Sequence, residues 1–170
     1  MKKIYTIILS LGVLMSCEDY DLEDQGFVLQ DLPGYVAFNA PGTSVNLSDV
    51  SVSEDDGSAS FEVENPTGSL SDITVSYTLS GTAVFGVDYS IDGASASGGQ
   101  VLLPINDGDV NTLIHGDIDI TLLTDNVADG EKTLTITLTN AVNESGETFA
   151  VGRGGLDILR NATVIISDID

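Results

Sequence analysis

Residues 133–139 read Thr-Leu-Thr-Ile-Thr-Leu-Thr, a pattern that suits an extended strand and no helix. Successive side chains of a strand point to opposite faces, so this stretch lays its aliphatics on one face and its threonines on the other. A helical period would scatter both sets around the axis. The same two-residue alternation places Ala59, Phe61 and Val63 inward on one strand and Ile73, Val75, Tyr77 and Leu79 inward on the next. Within 114–123 it aligns Ile118, Ile120 and Leu122, and further strands are predicted over 101–105 and 162–167. A first strand over 45–53 carries Val45 and Leu47 one residue out of phase with Val50 and Val52, which a bulge near Ser48 would reconcile. Gly, Asp, Asn and Ser clusters bound the runs, as turns require. About seven short antiparallel strands with no helical period predict an all-β chain folded as a sandwich of two sheets, with a single closed barrel as the alternative.

The N-terminus obeys a different rule. Lys2 and Lys3 precede an apolar run from Ile4 to Met15 that is too short to span a bilayer, which predicts a secretory signal. The run stops at Leu14-Met15-Ser16-Cys17, which resembles the bacterial lipobox. That resemblance implies cleavage before Cys17, with its sulfur diacylated and its new amine acylated. Residues 1–16 are then a lipoprotein signal peptide, and Cys17 anchors the chain to a membrane. A plain secretory peptide with an incidental thiol is the alternative. Cys17 is the one cysteine of the chain, so no intrachain disulfide can form. Glu18-Asp19-Tyr20-Asp21-Leu22-Glu23-Asp24 follows without apolar periodicity, and residues 17–32 are predicted to be a solvated acidic tether. An acidic stretch behind the acylated cysteine resembles the surface-export signal of Bacteroidetes lipoproteins, which implies an outer-membrane location facing outward. A periplasm-facing lipoprotein with an ordinary spacer is the alternative. Residues 33–170 remain for one sandwich domain.

Charge narrows the partners. The signal holds two of the five basic residues and none of the 27 acidic ones, so the mature chain carries a formal charge of −24. Nucleic acid is excluded as a partner on that balance. So much negative charge repels itself where carboxylates gather, unless a cation neutralises it. If successive strands alternate in direction, Glu54-Asp55-Asp56, Gly86-Val87-Asp88-Tyr89, residues 125–131 and Asp168-Ile169-Asp170 all fall at one end of the sandwich. Residues 106–109 and 141–159 fall at the other. Calcium takes roughly six to eight oxygen ligands, and four carboxylate-bearing loops could supply them.

Several stretches resemble the Calx-beta domain. Val52-Ser53-Glu54-Asp55-Asp56-Gly57 is similar to that family's opening V-x-E-x-x-G. Tyr77-Thr78-Leu79-Ser80-Gly81-Thr82-Ala83 followed by Gly86-Val87-Asp88-Tyr89 is similar to its Y-x-T-x-x-G-T-A and G-x-D-Y signature, shifted at the threonine. Residues 125–134 are similar to D-x-x-x-E-G-D-E-T-F, and Ile166-Ser167-Asp168-Ile169-Asp170 to the closing I-x-D-x-D. The resemblance covers residues 45–170 and implies an immunoglobulin-like β-sandwich. It carries the calcium-ligand role onto Glu54, Asp88, Asp125, Asp129, Asp168 and Asp170. Two departures imply a reduced site: Thr124 stands where the family often has an aspartate, and Lys132 where it often has a glutamate, with Glu131 as a substitute ligand.

An enzyme reading finds little. The chain has one histidine, His115, predicted near a strand start, and no glycine-rich phosphate loop leading into a helix. Glu54 with Asp88 would be the pair for glycoside cleavage, but a sandwich edge without a deep groove does not suit it. For glycan binding, the lack of tryptophan removes the strongest stacking surface, although five tyrosines remain. The expected function is a non-enzymatic surface lipoprotein with a calcium-stiffened sandwich that acts in adhesion or recognition of a protein or glycan. A metal-independent spacer or accessory lipoprotein of an outer-membrane nutrient-uptake assembly is the alternative. Segment 141–159, with Gly152-Arg153-Gly154-Gly155, is the candidate partner-facing loop, set against an ordinary flexible connection.

Overall fold

The computed structural model describes residues 33–42, 44–105, 113–124, 127–128 and 130–169. The described chain is a β-sandwich, as the alternation predicts. Its strands are β1 (Tyr35–Phe38), β2 (Val50–Ser53), β3 (Ser58–Asn65), β4 (Ile73–Gly81), β5 (Tyr89–Ile91), β6 (Gly98–Leu103), β7 (Ile114–Leu122), β8 (Lys132–Asn143), β9 (Thr148–Val151) and β10 (Asn161–Ser167). One sheet runs β2-β10-β8-β4-β6 and the other β1-β3-β7-β5. Strand β9 joins them along one side, pairing antiparallel with β8 and parallel with β1. No helix among the described residues is long and apolar enough to cross a membrane.

The inward faces are those the sequence singles out. Phe61 and Val63 of β3, Ile73, Val75 and Tyr77 of β4, Ile118, Ile120 and Leu122 of β7, and Leu134, Ile136 and Leu138 of β8 are all buried. Burying each large aliphatic contributes roughly 1.5–3 kcal/mol, so these positions dominate the stability of the fold. The threonines of β8 form ladders on the outer face, where Thr137 Oγ1 donates to Asn161 Oδ1 at 2.7 Å.

Three differences from expectation have local causes. First, β8 does not stop at Thr139. A register shift opposite Ser76 and Tyr77 makes Thr139 a bulged residue, and the burial phase resumes one step later at Ala141 and Asn143. Thr139 Oγ1 closes the bulge by donating to the Ser76 carbonyl at 3.0 Å. Second, residues 45–49 lie outside any strand and the expected bulge near Ser48 is not there: β2 begins at Val50, and Leu47 packs against the core from a loop. Third, β1, β5 and β9 add to the seven expected strands. Segment 141–159, expected as a loop, is built instead from the end of β8, a turn, β9 and a short 3-10 turn at Arg153–Gly155, with Phe149 buried in the core.

Strand directions follow the expected alternation where the carboxylates are concerned. Strand β2 runs parallel to β10, with Ser53 opposite Ser167, so Glu54 and Asp168 leave the sheet side by side. Strands β4 and β7 end, and β3, β5 and β8 begin, at that same end.

Candidate functional site

Among the described residues, Glu54, Asp88 and Asp168 each sit next to a strand terminus at this upper end. Glu54 opens a 3-10 turn, Glu54–Asp56, that reverses β2 into β3, and Gly57 completes it with φ 82°. Asp56 Oδ2 accepts from Ser53 N at 2.6 Å, which ties the turn to the strand before it. Glu54 itself points inward and is 3% exposed. Its carbonyl lies 3.5 Å from the Thr124 hydroxyl, and Leu122 N donates to the Gly57 carbonyl at 3.0 Å, so this turn and the end of β7 are neighbours.

Asp88 sits across the end of β7. Its side chain accepts from Val84 N, its own N–H donates to the Val84 carbonyl at 2.9 Å, and its carbonyl accepts from Leu123 N at 2.9 Å. It is also 3% exposed. The residues around it explain the local sequence. Gly81 adopts φ 121°, and a Cβ there would stand 2.1 Å from the Thr133 carbonyl oxygen. Thr82 N and Ala83 N both donate to that oxygen at 2.9 Å, so Gly81-Thr82-Ala83 forms a corner stapled to the start of β8. Buried Tyr89 then stacks edge-on against Phe85, with ring centroids 5.6 Å apart. Burial, reinforced by the Asp88 carboxylate, raises the Tyr89 phenol above its ordinary range.

At the end of β10, Asp168 Oδ2 accepts from Gly130 N at 2.7 Å and so fastens the connection between β7 and β8. Three of the six sequence-predicted ligands, Glu54, Asp88 and Asp168, are thus placed at one end of the fold. Asp125, Asp129 and Asp170 lie outside the described residues, as does Cys17. Thr124, at the end of β7, and Gly130 and Glu131, ahead of β8, flank Asp125 and Asp129 in the chain. Lys132 opens β8 opposite Ile166.

Among the described residues, no three acidic, histidine or cysteine side chains come close enough to hold one metal ion. The donor set fits calcium in kind, being all oxygen, and the described part supplies only a fraction of the ligands that calcium takes. The part the sequence reading missed is the backbone. The amides of Val84 and Gly130 hold the Asp88 and Asp168 carboxylates in place, and no side-chain pattern marks an amide.

No protein-family model and no curated protein matches the sequence. Several solved structures share the fold. The apo form of the Calx CBD1 domain superposes with a TM-score of 0.55 at 22% identity, over 81% of this chain and 99% of that one. The Calx CBD2 domain gives 0.55 at 16% identity, over 79% of this chain and 86% of that one. The calcium binding domain CBD12 of CALX1.1 gives 0.51 at 25% identity, over 79% of this chain and 44% of that one. The sandwich is therefore Calx-beta-like in fold.

Proposed function

We propose that this Calx-beta-like sandwich is a non-enzymatic adhesion or recognition module, stiffened by calcium at its carboxylate end and carried on the outer membrane by a lipid at Cys17. The observation that supports the calcium part is the burial of Glu54 and Asp88 at the end where Asp168 also stands. A buried carboxylate is costly unless a cation or several hydrogen bonds compensate it. Glu54, Asp88 and Asp168, with Asp125, Asp129 and Asp170, are the residues that would hold the ion, and Glu131 is the substitute for the family glutamate that Lys132 replaces. Bound calcium would supply the positive charge that lets these loops approach one another. The anchor and the outward location rest on the lipobox-like Leu14-Met15-Ser16-Cys17 and the acidic stretch behind it.

A second reading has one observation in its favour. The described residues bring no three potential ligands together, which suits a metal-independent spacer or accessory lipoprotein of an uptake assembly.

Thermal unfolding of the full chain separates the two. An ion whose dissociation constant is ~100-fold below the free calcium stabilises the fold by about 2.7 kcal/mol, several degrees for a domain of this size. A calcium-selective rise, absent with magnesium and absent in Asp168→Ala, is the expected result. A midpoint identical in chelator and in millimolar calcium would leave the spacer reading. For the anchor, Cys17→Ser should move the protein from the membrane fraction to the soluble fraction.

A further inference from the structure

The outer face of β1 and β3 carries a groove of about 450 Å³, within the ~300–1,000 Å³ typical of ligand sites. None of its lining residues belongs to the carboxylate loops. Val36 and Phe38 of β1 enter the core, so Tyr35 and Ala37 face outward, and Glu64 stands beside Ala37 in register. Arg153 reaches the same groove from the connection between β9 and β10. That connection is built before any ligand arrives. Gly152 N donates to the Val36 carbonyl at 2.8 Å, Arg153 N to the Ile158 carbonyl at 2.7 Å, and Phe38 N to the Leu159 carbonyl at 2.9 Å. Leu159 itself is held at φ 54°, a conformation that a leucine adopts only when its surroundings impose it. A second recess of about 280 Å³ shares Asn39, Glu64 and Leu113 with the groove and extends it to Glu62 and His115.

We infer that this groove binds a neutral saccharide. The inference names the partner class for the recognition role proposed above, rests on that role, and does not depend on calcium. Opposite charges, Glu64 and Arg153, share one groove with Tyr35 and with Asn39, whose Nδ2 donates to Glu62 Oε1 at 2.5 Å. A cationic ligand would meet Arg153. An anionic one would meet Glu64 and, in the adjoining recess, Glu62. A polyol offers a donor and an acceptor at every hydroxyl and satisfies both signs without adding charge. A tyrosine ring can stack on the C–H face of a pyranose, and Tyr35 lines the groove with Ala37 and Leu159. An extended peptide is also neutral and polar, but β1 is paired on both edges, by β3 and β9, and leaves no strand edge for it to join. Burial and the neighbouring Glu62 raise the Glu64 carboxyl above its ordinary range while Arg153 draws it back.

The test is saturation-transfer NMR on the full chain with maltose, cellobiose, lactose and mannobiose, in chelator, with a lysine-rich peptide and galacturonic acid as charged controls. Transfer to at least one neutral disaccharide is expected, weakened about tenfold or more in Arg153→Ala and in Glu64→Gln, with unfolding midpoints that show both variants folded. No transfer from any of the disaccharides, transfer that survives both substitutions, or tighter binding of a charged control would overturn the saccharide site. Binding in chelator alongside a failed calcium titration would remove the metal and keep recognition. Failure of binding alongside a positive calcium titration would remove the saccharide and leave the stiffened module.

Discussion

The two ends of the sandwich bury different chemistry. Among the described residues the buried polar side chains are Glu54 and Asp88 at the upper end and Asn65 and Asn143 at the lower. At the lower end the buried polar side chains are neutral amides. Asn143 Oδ1 accepts from Glu147 N at 2.9 Å and from the Ser145 hydroxyl at 3.0 Å, while its Nδ2 donates to Glu147 Oε2 at 3.0 Å. Asn65 Nδ2 donates to the Tyr35 carbonyl at 3.0 Å. An amide donates and accepts at once, so it can fasten a turn and leave no net charge behind. A carboxylate only accepts, and burying it leaves a charge to be answered. The lower end thus buries amides, of which Asn65 keeps its Oδ1 without a partner, and the upper end buries carboxylates.

That contrast can be broken most sharply at Asn143. Asn143→Ala removes the acceptor for Glu147 N and should cost about 2–4 kcal/mol in denaturant unfolding, by the same amount in chelator and in calcium. A calcium-dependent loss would mean the two ends are not separate. Next in size is Glu54→Gln, which keeps the shape and removes the charge. In chelator its stability should equal or exceed the parent, and in calcium it should lack the gain of about 2.7 kcal/mol; a full calcium gain in this variant would take Glu54 out of the ligand set. Lys132→Glu exchanges an opposing charge for a ligand oxygen and should tighten calcium about tenfold, near 1.4 kcal/mol, by calorimetric titration, whereas weaker binding would show that Lys132 supports the loops rather than opposing the ion.

The smallest effect belongs to Glu64, a partly buried carboxylate of the lower half. Burial first, then Glu62, raise its folded pKa above the ordinary carboxylate value of 4.5. The folded state therefore holds its proton longer than the unfolded one, and stability is lost as pH rises through the folded value. Glu64→Gln should melt slightly higher than the parent at neutral pH and equal to it well below pH 4.5. A neutral-pH melting point at or below the parent's would show that the carboxylate is compensated.

What could be read from the residues follows from which faces are half-buried. Strand β8 announces itself through Leu134, Ile136 and Leu138 because threonines occupy its outer face, and the signal fails at Thr139 because a bulge shifts the phase. Strand β1 gives no alternation. Val36, Ala37 and Phe38 are all buried, and β3 and β9 flank the strand on both edges. Two-residue periodicity is therefore absent from one of the strands that shapes the groove. The convergence of Glu54, Asp88 and Asp168 was legible because strand direction alone decides which end a loop occupies. How those carboxylates are held was not, because their partners include the backbone amides of Val84 and Gly130. The groove was half legible. Arg153 stands out in a glycine-rich segment, whereas Tyr35 and Glu64 are far apart in sequence and meet it only through pairing of β1 with β3.

The central claim is that the upper end alone answers to calcium. Amide chemical shifts recorded through a calcium titration of the full chain test it most directly. The account predicts calcium-dependent shifts at residues 53–57, 84–88, 123–131 and 167–170, with residues 65–72 and 143–147 unmoved. No shift at the upper residues in millimolar calcium, or equal shifts at both ends, would contradict it.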